Sequence, residues 1–381
     1  MNLDHFIPLA RPDAGPEEIA AVEEVIRSGW WTTGPAVARF EEALTDYLEG
    51  DAPLHVVGLN SCTAAIFLAL EGVGIGPGDE VIVPTWTFAA TAQVVEWLGA
   101  RPVLCDVEAG TLNMDVSAAA RCITEHTRAI VPVHFAGYPC DQEGIEELAA
   151  RHGLKVIEDA AHAIGSAYDG RLIGNFGDIT CFSFYATKNV AMGEGGAVVS
   201  NDAQLIDRIR QKAYFGIKKA EGRYAEGGNW AYDIETLGYK FNLDSIHAAI
   251  GQIQLAKVER MNERRRAIAA RYRSDLHPSL KFFQDNSKNR HIYHLFTALL
   301  PQHIDRGHFI GRLRDARVGA SVHYIPLHRH SHFQSRFDPR DFPVAEEIFP
   351  RIVSLPMCSA MTDQEVTSVI STVNRTIEDL T

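Results

Sequence analysis

Short apolar runs and amphipathic stretches alternate along the first two thirds of the chain. Apolar runs bounded by glycine or polar residues are typical of buried strands. Such runs cover residues 56–59, 81–83, 103–107, 129–133, 154–159 and 179–184. Between them, apolar residues recur at helical spacing, as in the helix predicted over residues 16–28. This alternation predicts an α/β fold whose mostly parallel sheet, of a seven-stranded type, is covered by helices on both faces.

The pattern changes after residue 245. One long helix is predicted first, and shorter strands and helices follow it. The predicted elements are a helix over 245–273, a strand over 291–296, a helix over 307–315, a strand over 320–323 and a helix over 363–377. We therefore expect two domains. The large one spans residues 14–245, and a smaller α+β domain spans 246–381, with residues 1–13 packing on it.

Two side chains of opposite charge follow strands in the central stretch, residues 154–200. Asp159 ends one apolar run, and Lys188 follows the next one. Ligands of α/β sheets lie beyond the carboxyl ends of strands, so both side chains could reach one crevice. A buried ion pair, or two unrelated loop residues, would explain them. Pyridoxal phosphate (PLP) chemistry is the alternative, because a lysine amine forms a Schiff base with the cofactor aldehyde and an acid keeps its pyridine nitrogen protonated.

Three further features fit a phosphorylated planar cofactor. Ser183 precedes Lys188 and could hold a phosphate. Residues 60–63 form a small polar turn between a strand and a helix, which is the geometry that offers unpaired amides to an anion. A plain helix cap by Ser61 would explain the same turn. An aromatic residue after the strand at 81–83, Trp86 or Phe88, could stack on the cofactor ring.

Composition narrows the class of protein. The chain has 381 residues, 46% hydrophobic and 22% charged, with a net charge of -13. This acidic balance argues against nucleic acid as a partner. No apolar run reaches the roughly 18 residues that cross a bilayer. The six cysteines form no CxxC pair, so neither a zinc site nor a disulfide framework is indicated, and we expect a cytoplasmic protein that does not bind membranes.

Several motifs together resemble the DegT/StrS type of sugar-nucleotide aminotransferase, of fold type I. They follow one another in the expected order along nearly the whole chain. They are Thr33–Pro35, Asn60–Ala65, Pro84–Phe88, Glu158–His162, Ser183–Asn189, Gly193–Gly196, Gly238–Leu243, His323–His328 and Pro343–Glu346.

The resemblance implies a PLP-dependent aminotransferase. Its substrate would be a keto-sugar nucleotide, most simply a 4-keto-6-deoxyhexose on a nucleoside diphosphate, with L-glutamate as amino donor. Lys188 would bind the cofactor and transfer the proton, Asp159 would stabilise the pyridinium, and His162 would contact the phenolic oxygen. The implied cofactor contacts are Ser61, Thr63, Ala64, Phe88, Asp159, His162, Ser183, Lys188 and Asn242. The implied substrate contacts are Trp31, Thr33, Tyr185, Lys240, His323 and His328.

The resemblance also implies a homodimer with its active site at the subunit interface. The Gly-rich stretch 214–236 would reach the partner's site; it contains Lys218, Lys219, Arg223, Trp230 and Tyr232. Asn242 would cross to the phosphate of the partner's cofactor. Cys62 stands where the family usually has glycine, which bears on how closely the backbone approaches the phosphate.

Other functions remain open at the level of sequence. Within the enzymes, the substrate could be a 3-keto sugar nucleotide or a cyclitol ketone. A PLP-binding regulator without turnover, or a sugar-binding protein with a buried ion pair, are alternatives of other classes. His328, His330 and His332 alternate and could bind a metal, but no cysteine or carboxylate lies nearby in sequence, and we expect none.

Overall fold

The computed structural model describes residues 5–50, 52–218, 230–285 and 288–381. Within these ranges the α-helices are α1 (Pro16–Ser28), α2 (Pro35–Tyr47), α3 (Cys62–Gly72), α4 (Ala89–Trp97), α5 (Val116–Arg121), α6 (Gln142–His152), α7 (Ala203–Lys212), α8 (Ser245–Ala256), α9 (Val258–Asp275), α10 (Arg306–Asp315), α11 (Pro343–Ile348) and α12 (Asp363–Leu380). The strands are β1 (His55–Leu59), β2 (Glu80–Pro84), β3 (Arg101–Cys105), β4 (Thr127–Ile130), β5 (Lys155–Asp159), β6 (Ala167–Tyr168), β7 (Arg171–Leu172), β8 (Ile179–Ser183), β9 (Gly196–Ser200), β10 (Ile217–Lys218), β11 (Asp233–Ile234), β12 (Lys281–Phe282), β13 (Asn289–Arg290), β14 (Phe296–Leu299) and β15 (Ile352–Leu355).

A large sheet organises the first part of the chain. Its strand order is β1-β9-β8-β5-β4-β2-β3. Strand β9 is antiparallel to both neighbours, and the other pairs are parallel. Strands β2, β8 and β9 are buried along their whole length, as expected for strands covered on both faces. The predicted fold class is confirmed, and the carboxyl ends of β1, β2, β5 and β8 meet at one edge of the sheet.

A second group of buried residues gathers the C-terminal elements. Antiparallel strands β12, β14 and β15 form a small sheet, and residues of α9, α10 and α12 pack with it. Ile7 lies in the same apolar cluster and forms a bridge with Val318. Helix α8, which begins at the predicted boundary, packs instead on α1 and α2. The division at residue 245 stays a prediction.

Two C-terminal elements differ from the sequence prediction. The long helix over 245–273 is two helices that meet in a turn at Lys257, whose amide donates to the Gln254 carbonyl at 3.1 Å. The predicted strand over 291–296 is absent from the described structure, where Tyr293 has a φ of 49° and strand pairing begins only at Phe296. The alternating pattern there instead stacks the His291 ring on Tyr293, with centroids 3.8 Å apart.

Residues 320–323 were predicted to form a strand, but the structure has only an isolated bridge there, between Ser321 and Ser354.

Among the helices of the described ranges, none has both the length and the apolar character that crossing a membrane requires.

Candidate active site

Asp159 and Lys188 lie at the same edge of the sheet. Asp159 ends β5, and Lys188 follows the neighbouring parallel strand β8. The Asp159 charge raises the pKa of Lys188, and the Lys188 charge lowers the pKa of Asp159. Among the described residues, no salt bridge or hydrogen bond joins the two side chains. They act on each other across a gap, which excludes the direct ion pair that the sequence left open.

The Asp159 carboxylate is buried but only partly satisfied. It is 6% exposed and accepts hydrogen bonds from Thr91 Oγ1 at 2.8 Å and from the Ala161 amide at 3.1 Å. Thr91 is in turn bonded to Thr87 Oγ1 at 2.8 Å. Burial raises the pKa of Asp159, and the two hydrogen bonds offset only part of this effect. A cationic partner such as a protonated ring nitrogen would stabilise the carboxylate.

Lys188 has a perturbed amine. Burial lowers the pKa of Lys188 to about 8, although the charge of the neighbouring Asp159 opposes the change. The backbone amide of Lys188 donates to the Tyr185 carbonyl at 2.8 Å, which fixes the turn that carries it. A lysine with a lowered pKa holds a neutral, nucleophilic fraction near neutral pH, as Schiff-base chemistry requires.

The N-terminus of α3 offers an anion site beside this pair. The Ser61 side chain caps the helix, accepting from the Ala64 amide at 3.1 Å. The Ala64 amide is thus bonded within the fold, and its predicted contact with the phosphate stays a prediction. The amides of Cys62 and Thr63 have no partner within the described residues, and Thr63 also presents its hydroxyl. These groups can hold a phosphate at the positive end of the helix.

Gly196 of β9 fixes the position of that turn. A Cβ atom at Gly196 would lie 2.5 Å from the Cys62 nitrogen, closer than such atoms approach in real proteins. The Cys62 thiol lies below the turn, with Sγ 3.6 Å from the Cys181 carbonyl oxygen. Burial raises the pKa of Cys62, so it remains a neutral thiol. The cysteine that replaces the usual glycine thus points into the core rather than toward the anion site.

Neutral side chains form a further wall near Lys188. His162 Nε2 is bonded to the Tyr324 hydroxyl at 3.0 Å, and the His162 ring lies 4.2 Å from that of His294. His323 Nδ1 is bonded to Ser354 Oγ at 2.9 Å. Burial lowers the pKa of His162 and of His294, lowers the pKa of His323 to about 4, and raises the pKa of Tyr324. All four groups are therefore uncharged near neutral pH.

Sequence analysis missed His294 and Tyr324. Tyr324 belongs to the motif His323–His328, so its position beside His323 was a usable signal. His294 lies in the alternating segment that predicted a strand, and no motif marked it.

The predicted aromatic and serine positions fall at the same edge. Phe88 is 62% exposed, and its ring lies 6.0 Å from that of Tyr324. Trp86, the other candidate for stacking on the cofactor ring, is fully buried and donates Nε1–H to the His323 carbonyl. Of the two aromatic residues, Phe88 is therefore the one with an accessible ring. Ser183 ends β8 and accepts weakly from the Tyr185 amide at 3.4 Å, and the Tyr185 side chain is exposed.

Three predicted residues gather in a separate cluster beyond the end of β1. Asn242 Nδ2 donates to Thr33 Oγ1 at 2.7 Å, and Lys240 Nζ donates to Asn242 Oδ1 at 2.6 Å. Trp31 lies near this cluster and is 55% exposed; its partner is the carbonyl of Ile26. The contact of Asn242 with a partner's cofactor stays a prediction. Lys219 and Arg223 lie outside the described residues.

His328 is not part of the cleft. It is 1% exposed, with Nδ1 bonded to Thr85 Oγ1 at 2.7 Å and Nε2 to Glu346 Oε1 at 2.7 Å. Its ring stacks on Phe342 with centroids 4.3 Å apart. Both ring nitrogens are bonded within the fold, and the predicted substrate contact of His328 stays a prediction. The described ranges contain no cluster of His, Cys, Asp or Glu that could bind a metal.

These residues fit PLP. The His162 Nδ1 atom is buried and has no partner in the described structure, so it can bond a ring substituent. The Asp159 carboxylate suits the pyridine nitrogen, the N-terminus of α3 suits the phosphate, and the Lys188 amine suits the aldehyde.

Comparison with known proteins identifies the family. Residues 12–374 match the sequence model of the DegT/DnrJ/EryC1/StrS aminotransferase family. The chain belongs to this family. It is 42% identical to the spore coat polysaccharide biosynthesis protein SpsC of Bacillus subtilis, with 97% of each chain covered. The resemblance read from the motifs is confirmed.

Solved structures extend this finding. The putative sugar aminotransferase Spr1654 of Streptococcus pneumoniae has been solved in a PLP form and in a pyridoxamine phosphate (PMP) form. The PMP form matches this chain with a TM-score of 0.93 at 32% identity, and the match covers 98% of this chain and 100% of the other. The sugar aminotransferase CalS13 of Micromonospora echinospora matches with a TM-score of 0.87 at 30% identity, covering 97% and 99%. The chain is a PLP-dependent sugar aminotransferase.

Proposed function

We propose that this enzyme transfers an amino group from L-glutamate to a keto-sugar nucleotide. The acceptor is a 4-keto-6-deoxyhexose on a nucleoside diphosphate, and the product is the amino-sugar nucleotide. The observation that carries the proposal is the Lys188 amine, whose pKa is lowered to about 8, facing Asp159 across a gap walled by uncharged side chains. SpsC acts in polysaccharide biosynthesis by name, and PseC of Helicobacter pylori, 28% identical, is an aminotransferase of pseudoaminic acid biosynthesis.

The side chains have distinct roles in this proposal. When bound, PLP supplies the electron sink that allows a C–H bond next to nitrogen to break. The Asp159 carboxylate accepts the N–H of the pyridine ring and holds its proton there. The N-terminus of α3 orients the phosphate through the amides of Cys62 and Thr63. Lys188 Nζ takes the proton from the substrate carbon and returns it, as a general base and then a general acid.

The uncharged wall supports a sugar as the acceptor. His162, His323 and Tyr324 offer hydrogen-bonding atoms without net charge near neutral pH. Hydroxyl and keto oxygens of a hexose match such groups. The diphosphate would lie outside this wall, toward solvent.

We also propose a homodimer. Several large apolar side chains are exposed, including Trp31, Trp230 (85% exposed) and Leu237. Contiguous exposed apolar residues mark interaction surfaces. Sedimentation equilibrium tests this proposal, and a monomer at micromolar concentration would contradict it.

A substrate panel tests the reaction. Purified enzyme with PLP is given L-glutamate and one of several acceptors: 4-keto and 3-keto nucleotide sugars, the free keto sugar and a cyclitol ketone. We expect amination of the 4-keto nucleotide sugar, detected by mass spectrometry with ¹⁵N-glutamate. Amination of the 3-keto sugar or the cyclitol alone would overturn the proposed substrate, and bound PLP without any turnover would favour a regulator.

Lys188→Ala is the matched control for this panel. Removing the amine eliminates the proton carrier, so we expect turnover to fall by at least about 10⁴-fold, together with the visible absorption of lysine-bound PLP. A variant that turned over at the normal rate would show that another group moves the proton.

A further inference from the structure

A chain of buried hydrogen bonds runs from the core to the residue next to Lys188. Asn262 Nδ2 donates to the Ile164 carbonyl at 3.1 Å. Asn189 Nδ2 donates to Asn262 Oδ1 at 2.7 Å, and Asn189 Oδ1 faces His294 Nδ1 at 3.0 Å. Asn189, Asn262 and His294 are all buried. The chain joins α9 and the segment after β13 to the turn that carries the lysine.

The Ile164 carbonyl determines which group donates and which accepts in each of these hydrogen bonds. A backbone carbonyl only accepts, so the Asn262 side chain must present its NH₂ to Ile164 and its oxygen to Asn189. Asn189 must then donate to Asn262, and it turns its own oxygen toward His294. The Nδ1 atom of His294 must therefore carry a proton. The tautomer of His294 follows from a carbonyl three bonds away rather than from its own surroundings.

Contacts with His162 and Arg265 also hold His294 in place. Its ring lies against His162, with an interplanar angle of 32°. Its backbone carbonyl accepts from Arg265 Nη1 at 3.3 Å, and Arg265 is itself buried. Charge on Lys188 contributes to lowering the pKa of His294, which places the imidazole within electrostatic reach of the amine.

We propose that His294 is a positioning residue for Lys188: its Nδ1–H, acting through Asn189, sets the direction of the lysine side chain. This inference builds on the assignment of Lys188 as the cofactor lysine. Asn189 directly follows Lys188, so the bonds that anchor the Asn189 side chain also hold the backbone one peptide unit from the lysine. Without the Nδ1–H donor, the buried Asn189 oxygen loses its partner and the turn can relax.

Two substitutions at position 294 separate this role from simple packing. His294→Asn can keep an N–H where Nδ1 lies, whereas His294→Leu keeps bulk but removes the donor. The readout is the pH titration of the visible absorption of bound PLP, which reports the pKa of the lysine–cofactor link and needs no sugar substrate. We expect His294→Leu to shift the midpoint by at least about half a pH unit, while His294→Asn stays within about 0.2 unit of wild type.

Turnover gives a second readout. We expect His294→Leu to lower kcat about tenfold with KM changed less than about twofold, and His294→Asn to restore most of kcat. Should His294→Leu lose PLP on purification, retention of PLP by His294→Asn supports the proposal, and loss by both variants overturns it. The proposal is also overturned if His294→Leu has the same titration midpoint as the wild-type enzyme.

A control at another buried histidine excludes a general effect of lost stability. His328→Leu removes another buried imidazole, one that is bonded at both nitrogens to Thr85 and Glu346 rather than to the turn that carries Lys188. We expect it to lower the melting temperature and leave the titration midpoint unchanged. If the wild-type enzyme titrated normally but aminated no keto sugar, the proposed substrate would be wrong and the role of His294 would stand.

Discussion

Two neighbouring carboxylates at the end of β5 have opposite environments. Glu158 is fully buried, and its oxygens accept from His134 Nε2 at 3.1 Å, Gln142 Nε2 at 2.7 Å and Thr180 Oγ1 at 2.8 Å. Burial alone would raise the pKa of Glu158, but His134 and the other donors outweigh it and the pKa is lowered. Asp159 points to the other face of the sheet with fewer donors, and its pKa is raised.

The difference shows that burial by itself does not mark a functional carboxylate. The Cys140 amide donates to His134 Nδ1 at 3.1 Å, so the imidazole presents Nε2–H to Glu158, and that network is complete within the fold. The Asp159 carboxylate lacks an equivalent partner and is left with capacity for a ligand cation. Incomplete satisfaction distinguishes the binding group from the structural one.

The largest expected effect is on turnover. Asp159→Asn removes the charge that stabilises the pyridinium, and we expect kcat to fall about 10³-fold. Glu158→Gln keeps one oxygen to accept from His134 and Gln142, its NH₂ group can donate to the Thr180 hydroxyl, and it should retain activity within about threefold. Steady-state assays of both variants check this contrast, and similar losses in the two would remove the distinction.

Stability should respond in the opposite order. Glu158→Ala leaves His134, Gln142 and Thr180 without their buried partner, and we expect a loss of about 3 kcal/mol in the free energy of unfolding. Asp159→Ala removes an incompletely satisfied buried charge and should cost much less. Denaturant unfolding of the PLP-free proteins measures both, and a larger cost for Asp159→Ala would contradict the assignment.

The pH dependence of PLP capture sharpens the comparison further. Capture needs the neutral Lys188 amine, so its rate should rise about tenfold per pH unit below pH 8 and level off above it. The Asp159 charge raises the pKa of Lys188, so Asp159→Asn should move the midpoint to lower pH. Glu158→Gln should not move it. Stopped-flow absorbance records the rates, and a midpoint near pH 10 in wild type would contradict the lowered pKa.

The smallest effect concerns the threonine donors. Thr91→Val removes one of the hydrogen bonds to Asp159, and we expect about a fivefold weaker PLP affinity, or about 1 kcal/mol. Thr180→Val is the matched change beside Glu158 and should cost about 1 kcal/mol of stability with PLP affinity unchanged. Equilibrium titration with PLP and thermal unfolding separate the two outcomes.

Local sequence was sufficient for the parts of the site that depend on one strand and its turn. Asp159, Lys188 and Ser61 each follow a short apolar run, so the carboxyl-end rule predicted their common edge. The α/β alternation was visible in the same way, because strands covered on both faces are continuously apolar.

Contacts from distant segments could not be predicted in this way. His294 and Tyr324 reach the cleft because residues 290–325 fold back over the sheet, and the tertiary contacts that set this path leave no periodic signal. The alternation at 291–296 was misread as a strand because ring stacking between His291 and Tyr293 follows the same spacing. The burial of His328 could not be predicted either, because it depends on the bonds of its ring nitrogens to Thr85 and Glu346, which are distant in sequence.

The close contact between Gly196 and the Cys62 amide has a consequence for redesign of the enzyme. Libraries that aim to change the accepted sugar can diversify His323 and Tyr324, but any side chain at position 196 would displace the anion-binding turn. Such a library should therefore leave this glycine constant, even though it never meets the substrate.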